Sequence, residues 1–289
     1  MVKSSARFGG SLYIVATPIG NRDDISLRAL SILKSVDTIL AEDTRHSAQL
    51  LNMLGIHKPL VSLHAHNEAE KSEAIIEALV EGQSFALISD AGTPLISDPG
   101  FPLVLLAQEK QIPVIPIPGA CALITALSAA GVACDTFTFA GFLPAKQAAR
   151  RARLESFRSY GHTLVFYEST HRILDCIDDL IEVYGSCYQL VLAKELTKTF
   201  EQFIRGTGEE IKNWLLAESA HSKGEFVLIL PAKPVEESAS QHDEEILTIL
   251  LKEISLKQAV KITSLLSKTH KNELYKMALA INNEGASSA

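Results

Sequence analysis

Before residue 119, five short runs carry almost nothing but apolar side chains: Leu12–Thr17, Thr38–Asp43, Leu60–His64, Phe85–Asp90 and Val114–Pro118. Between them, over Ser26–Ser35, Ser47–Leu54, Glu70–Glu81 and Leu103–Lys110, apolar residues recur three or four apart. Alternating strand and helix patterns of this kind specify a parallel sheet covered by helices. A strand exposed on one face would alternate apolar and polar residues. These do not, so both faces of the sheet are expected to be buried.

After Gly119 the texture changes. Ala120–Gly131 is a small-residue helix. Thr136–Phe142, Thr163–Ser169, Gln189–Leu196, Gln202–Gly206 and Glu225–Leu230 are strand candidates richer in Phe, Thr and Tyr. Helical patterns occupy Ala145–Ser159, His171–Tyr184 and Glu209–Glu218. Some connections are short enough for antiparallel pairing, which predicts a mixed sheet. The expected organisation is an N-terminal α/β domain over residues 11–118, a second α/β domain over 119–232, and a helical tail over 242–284, after a Pro/Ser/Glu linker at Pro231–Gln241. Ser255 and Gln258 have capping-box spacing at the start of one tail helix.

The 289 residues suffice for about two domains. Hydrophobic residues at 47% and charged residues at 21% exclude wholesale disorder. No apolar run approaches the roughly 18–20 residues of a membrane span. The apolar stretch Leu12–Ala16 is too short for a signal-peptide core, so a soluble cytoplasmic protein with no membrane partner is expected. The net charge of −7 argues against a generic nucleic-acid coat but allows a local basic face. Cys121, Cys134, Cys176 and Cys187 lack zinc-knuckle spacing, and no metal is expected.

Three glycine-bearing loops follow expected strands: Thr17–Asn21, Ser89–Gly100 and Pro118–Cys121. In open parallel sheets, ligands bind at the carboxyl ends of strands. Loops there without bulky side chains suit a flat, nucleoside-like ligand. No G-x-x-x-x-G-K-[ST] or G-x-G-x-x-G is present, which excludes a P-loop and argues against the usual dinucleotide fold. Polar groups cluster after other strands, at Glu42–Arg45, His64–Glu68, Tyr167–Arg172 and Lys194–Thr197.

Ala16-Thr17-Pro18-Ile19-Gly20-Asn21, Glu42-Asp43-Thr44-Arg45, the twelve-residue string Ser89–Gly100, Tyr167-Glu168-Ser169 and Lys271-Asn272-Glu273-Leu274-Tyr275 together resemble the tetrapyrrole methylase superfamily, the class III methyltransferases, and within it the members that methylate ribosomal RNA. The resemblance runs from Leu12 to Ala280. It implies two α/β domains with S-adenosylmethionine in the cleft between them, a homodimer, and methylation of the ribose 2′-oxygen of a decoding-centre cytidine in 16S rRNA; the RNA within the 30S subunit is the expected partner, with naked RNA left open. Carried over by motif, the cofactor-binding residues would be Thr17, Pro18, Gly20, Asp90, Ala91, Gly92, Thr93, Ile96, Ala120, Cys121, Tyr167, Glu168, Leu196 and Thr197. Cys121 stands where serine is common in the family, and Thr170 where proline is usual.

A ribose hydroxyl must lose its proton as it attacks, and a positioned carboxylate or histidine can accept it. Asp43, Asp90, His64, His66, Glu168 and Glu195 are all candidates. Glu42, Asp43 and His66 are favoured as catalytic residues, because Asp90 is expected to serve the cofactor. Arg45 and Arg172 could hold phosphates. The basic stretch with Arg150, Arg151 and Arg153, and the tail residues Lys257, Lys261, Lys268 and Lys271, form two candidate RNA-binding faces. Two other readings share the scaffold: a tetrapyrrole C-methyltransferase, against which the basic helix and tail argue, and a non-enzymatic ribosome-binding factor, against which the intact cofactor loops argue.

Overall fold

A computed structural model of the chain describes residues 10–232, 235–267 and 269–286. Those residues fall into two compact units, one holding both sheets but for Thr163 and ending at Leu230, the other formed by Ser159–Thr163 and the chain from Pro231.

The first sheet contains β1 (Leu12–Val15), β2 (Thr38–Ala41), β3 (Leu60–Ser62), β4 (Phe85–Ile88) and β5 (Val114–Ile117). Their order is β3-β2-β4-β1-β5, with parallel pairing throughout. The expected strands are all present, and the reason is visible in the packing. Leu40, Phe85 and Leu87 point into one core with α3 (Glu68–Val80) and α4 (Phe101–Glu109). Ile39, Ala41, Ala86 and Ile88 point into the opposite core with α1 (Leu27–Ser35) and α2 (Thr44–Met53). Successive side chains alternate between two buried faces, so the runs are continuously apolar.

The second sheet contains β6 (Phe137–Phe142), β7 (Thr163–Ser169), β8 (Gln189–Lys194), β9 (Gln202–Thr207) and β10 (Glu225–Leu230). It is ordered β6-β7-β10-β8-β9. β10 runs antiparallel to β7 and β8, and β9 antiparallel to β8. One face packs on α6 (Gln147–Ser156), α7 (Ile173–Tyr184) and α8 (Gly208–Ala217), through Leu154, Phe166, Ile177 and Ile211. The other packs on α5 (Ala122–Ala129), through Val165, Val191 and Ile229. Ile19, from the loop after β1, joins that second core, so a first-sheet loop is seated against the second sheet.

The helical unit consists of α9 (Val235–Leu250), α10 (Leu256–Leu266) and α11 (Lys271–Ala286). Leu247, Ala259, Val260, Leu274 and Ala278 form its core. Ser255 and Gln258 make the capping box at the start of α10. α9 begins inside the stretch read as linker. Among the described residues, no helix is long and apolar enough to cross a membrane.

Candidate active site

The three glycine-bearing loops leave the carboxyl edge of the first sheet and are laced together. The Thr17 N–H donates to the Gly92 carbonyl at 2.8 Å and the Gly92 N–H returns to Thr17 at 3.1 Å. The Thr17 hydroxyl donates to the Ser89 carbonyl at 3.2 Å. The Thr93 hydroxyl donates to the Ala120 carbonyl at 3.0 Å. Gly92 has φ +86°, a conformation open to glycine at little cost. Leu95 and Ser97 adopt left-handed backbone at φ 71° and 69° without being glycine. Such strain persists only where surrounding contacts impose it, and it gathers at functional sites.

A cavity of about 460 Å³ opens where these loops face β7 and β10. Asp90, Ala91, Gly92, Thr93, Ile96 and Cys121 line it from the first-sheet loops; Tyr167, Glu168 and Leu196 line it from the second sheet. Thr17, Pro18, Gly20, Ala120 and Thr197 do not line it. Thr17 and Ala120 accept or donate the bonds that join the loops. Gly20 and Thr197 are where loops from the two sheets touch. The Asn21 N–H donates to the Thr197 hydroxyl at 2.9 Å. A Cβ on Gly20 would stand 2.5 Å from Lys198 Cγ and 2.7 Å from Thr197 Oγ1. Motif membership marked these five residues, and Thr17, Gly20, Ala120 and Thr197 lie where the loops are held together.

Ile19, Phe142, Asp98, Thr170, His171 and Gly224 also line the cavity, although the sequence reading named none of them as a cofactor or catalytic residue. Asp98 lies inside the Ser89–Gly100 string, where its Ser-Asp-Pro-Gly setting reads as a turn. Gly224, at φ +111°, brings its backbone against the Glu195 side chain. Nothing local in the sequence signals that approach.

The first-sheet lip is crowded with carboxylates. Burial and the Asp90 charge raise Glu42 above its usual range, opposed by His64. Burial, helped by Glu42 and Asp90, pushes Asp98 up to about 6 against a hydrogen bond from Ser89. Asp90 Oδ1 accepts the Asp43 N–H at 3.2 Å. Asp43 itself plays another part from the one expected. It caps α2, accepting the Arg45 N–H at 2.8 Å, and it pairs with the Arg45 guanidinium at 2.9 Å. Those bonds hold it well below the usual carboxylate range. The helix starts at Thr44, three residues earlier than its periodicity suggests, because Asp43 is an N-cap. His66 is exposed and outside the cavity lining. His64 Nε2 lies 3.1 Å from the Asn67 amide, and its buried Nδ1 has no hydrogen-bond partner.

The acids Glu168 and Asp179 of the second-sheet layer are paired with arginines. Glu168 is fully buried and binds Arg172 Nε at 2.7 Å and Nη2 at 2.9 Å, so Arg172 is not a free phosphate holder. The Tyr167 hydroxyl accepts the Leu123 N–H at 3.0 Å, and burial raises its pKa. Arg150 departs from expectation. It is 2% exposed and binds Asp179 at 2.6 Å, so it cannot meet RNA. Arg151 shares Asp179 and is partly exposed. Arg153 is exposed, stacked over Phe157 at 4.4 Å. Arg45 is exposed but carries the Asp43 pair. In the helical unit Lys257, Lys261 and Lys271 are exposed; Lys268 lies outside the described residues. Among the described residues, no group of three His, Cys, Asp or Glu side chains is placed to hold a metal.

Comparison with known proteins adds to this geometry. The family model for tetrapyrrole (corrin/porphyrin) methylases matches residues 11–212. A model for the RsmI C-terminal HTH domain matches residues 237–282. The chain is 50% identical over 278 residues to ribosomal RNA small subunit methyltransferase I of Haemophilus influenzae, covering 94% of this chain and 97% of that protein. It is 48% identical over 271 residues to the protein of the same name from Escherichia coli O157:H7, covering 93% and 95%. Among solved structures, diphthine synthase superposes with a TM-score of 0.61 at 16% identity, over 78% of this chain and 90% of that one. Uroporphyrin-III-C-methyltransferase from Thermus thermophilus gives 0.53 at 21% identity, over 77% and 94%. At those identities the two structures speak for the fold alone.

Proposed function

We propose that this chain, which belongs to the tetrapyrrole (corrin/porphyrin) methylase family, transfers a methyl group from S-adenosylmethionine to the ribose 2′-oxygen of a decoding-centre cytidine in 16S rRNA. The observation that carries the reading is near-complete coverage, at about half identity, of relatives named for methylating small-subunit ribosomal RNA. The cavity fits the donor. Its volume of about 460 Å³ lies in the range of small-molecule sites. Ala91, Gly92 and Cys121 leave room along one wall, and the crowded carboxylates suit a cation. When bound, S-adenosylmethionine supplies an electrophilic methyl group on a sulfonium.

The chain's own residues supply placement. The laced loops around Thr17, Gly92 and Thr93 form a rigid floor, and Tyr167, Glu168 and Leu196 close the opposite wall. Fixed geometry at that cavity saves the entropy of bringing donor and hydroxyl together. Of Glu42, Asp43 and His66, Asp43 is committed to Arg45, and neither Glu42 nor His66 lines the cavity. Arg153 and Arg151 on α6, and Lys257, Lys261 and Lys271 in the tail, are the proposed RNA contacts, with the 30S subunit as substrate. A cytoplasmic homodimer completes the reading.

The test is methyl transfer from labelled donor to 30S particles, naked 16S rRNA and a porphyrin precursor. Label in 30S particles at one cytidine, with the adjacent phosphodiester resistant to alkali, is expected. Transfer only to the porphyrin precursor would overturn the substrate.

A further inference from the structure

The hydroxyl proton needs an acceptor, and the cavity lining narrows the choice. Four acids line it: Asp90, Asp98, Glu168 and Glu225. Glu168 has both oxygens on Arg172. Glu225 pairs with Lys198 at 2.9 Å. Asp90 receives the Asp43 N–H on one oxygen. Asp98 has no lysine or arginine partner among the described residues, and Ser89 is the neighbour that favours its ionised form.

Its setting is held in place as well. Asp98 follows Ser97, strained at φ 69°, and precedes Pro99 and Gly100, the latter at φ +123°. The Gly100 N–H is tied to Glu68 Oε2 at 2.7 Å. A strained loop anchored at its far end keeps the intervening carboxylate in one place.

We propose that Asp98 is the catalytic proton acceptor, a role that rests on the reading of a ribose 2′-hydroxyl as nucleophile. The Asp98 carboxylate takes the hydroxyl proton. The electron pair of the broken O–H bond stays on the 2′-oxygen, and an oxygen lone pair forms the bond to the methyl carbon. The carbon–sulfur pair leaves with sulfur, which becomes a neutral thioether. The Asp98 proton then passes to water, which restores the carboxylate. The groups facing Asp98 support this chemistry. Glu42 after β2 and Asp90 after β4 repel its negative form, and burial does the same, placing its titration at about 6. Tyr167 on β7 also feels its charge, and His171 lines the same cavity. A base that titrates near working pH is well matched to proton abstraction.

The experiment compares wild type, Asp98→Asn and Asp98→Glu on 30S particles at saturating donor. Single-turnover transfer by Asp98→Asn should fall by about 10²–10⁴-fold, with donor affinity by calorimetry changed less than about fivefold. Asp98→Glu should recover part of the loss. Wild-type rate should rise through an acid limb near pH 6 that Asp98→Asn lacks. Donor-free wild type should show a carboxyl titration near pH 6 in infrared difference spectra, absent from Asp98→Asn. Near-normal transfer by Asp98→Asn with the limb intact would overturn the proposal and pass the role to Glu42 or His171. A loss explained by donor affinity would overturn it too, assigning Asp98 to donor binding. Wild type that methylates no ribose would instead sink the substrate reading, a result visible before any variant is compared.

Discussion

Around the second sheet the buried acids face arginines: Asp179 meets Arg150 and Arg151, and Glu168 meets Arg172. On the first-sheet lip, Glu42, Asp90 and Asp98 face one another, and among the described residues no lysine or arginine pairs with them. The fold could have neutralised both groups in the same way. A buried acid bound to arginine has its hydrogen-bonding positions filled and serves packing. Crowding and burial make Glu42 and Asp98 resist ionisation, and Asp98 is brought close to the pH at which it can exchange a proton. The contrast assigns structural work to the second sheet's charges and chemistry to the first sheet's.

The sharpest way to break this comparison is to remove a paired acid. Asp179→Ala strands the Arg150 guanidinium in the core, so urea denaturation should register a loss of about 3–5 kcal/mol. Donor affinity of the folded fraction should be unchanged. A loss under about 1 kcal/mol would remove the structural half of the contrast.

Neutralising a crowded acid should act in the opposite direction. Asp98 titrates at about 6 in the folded chain, against an ordinary value of 3.8. The folded state therefore holds its proton more tightly than the unfolded state. That contribution to stability is present below pH 4 and lost as pH rises through about 6. Asp98→Asn should accordingly raise the thermal midpoint at pH 8 and change it little at pH 4. A lower midpoint at pH 8 would mean that the carboxylates are not repelling one another.

Glu42→Gln sharpens the same point. Its charge raises Asp98, so removing it should move the acid limb of the transfer rate to lower pH. An unmoved limb would separate Glu42 from the cluster.

On the proposed RNA face, Arg153→Glu should lower the log–log salt slope of 30S binding by about 0.7–0.9 for each phosphate that the arginine neutralises, with no change in donor affinity. An unchanged slope would leave Arg153 as a solvated residue on Phe157.

The smallest effect is expected at Asp43. Its carboxylate caps α2 and pairs with Arg45 at the surface. Asparagine caps a helix about as well as aspartate, so Asp43→Asn should change single-turnover transfer by less than about twofold. A hundredfold loss would return Asp43 to the chemistry.

Much of the architecture was legible in the sequence. The strands match the runs read from the sequence, and β2 and β4 are continuously apolar because a strand buried on both faces leaves no position for a polar residue. The glycine loops were legible too, since a positive φ at Gly92 or a close approach at Gly20 excludes most other side chains. Helix starts were less so. α2 begins at a cap, and Glu42–Arg45 read as one polar cluster when it is a strand end, a cap and a helical turn.

Contacts between distant segments were decided elsewhere. Arg150 and Arg153 look alike in a basic helix, yet one is buried on Asp179 and the other is exposed on Phe157. Only the packing of α6 on α7 tells them apart. Asp98 reads as part of a turn until the order β3-β2-β4-β1-β5 sets the ends of β2 and β4 side by side, bringing Glu42 and Asp90 near it. Local pattern determines which segments carry an apolar face, because hydrophobicity is a property of each residue's own side chain. The charge a residue feels depends on neighbours far along the chain, and strand order and helix packing choose those neighbours.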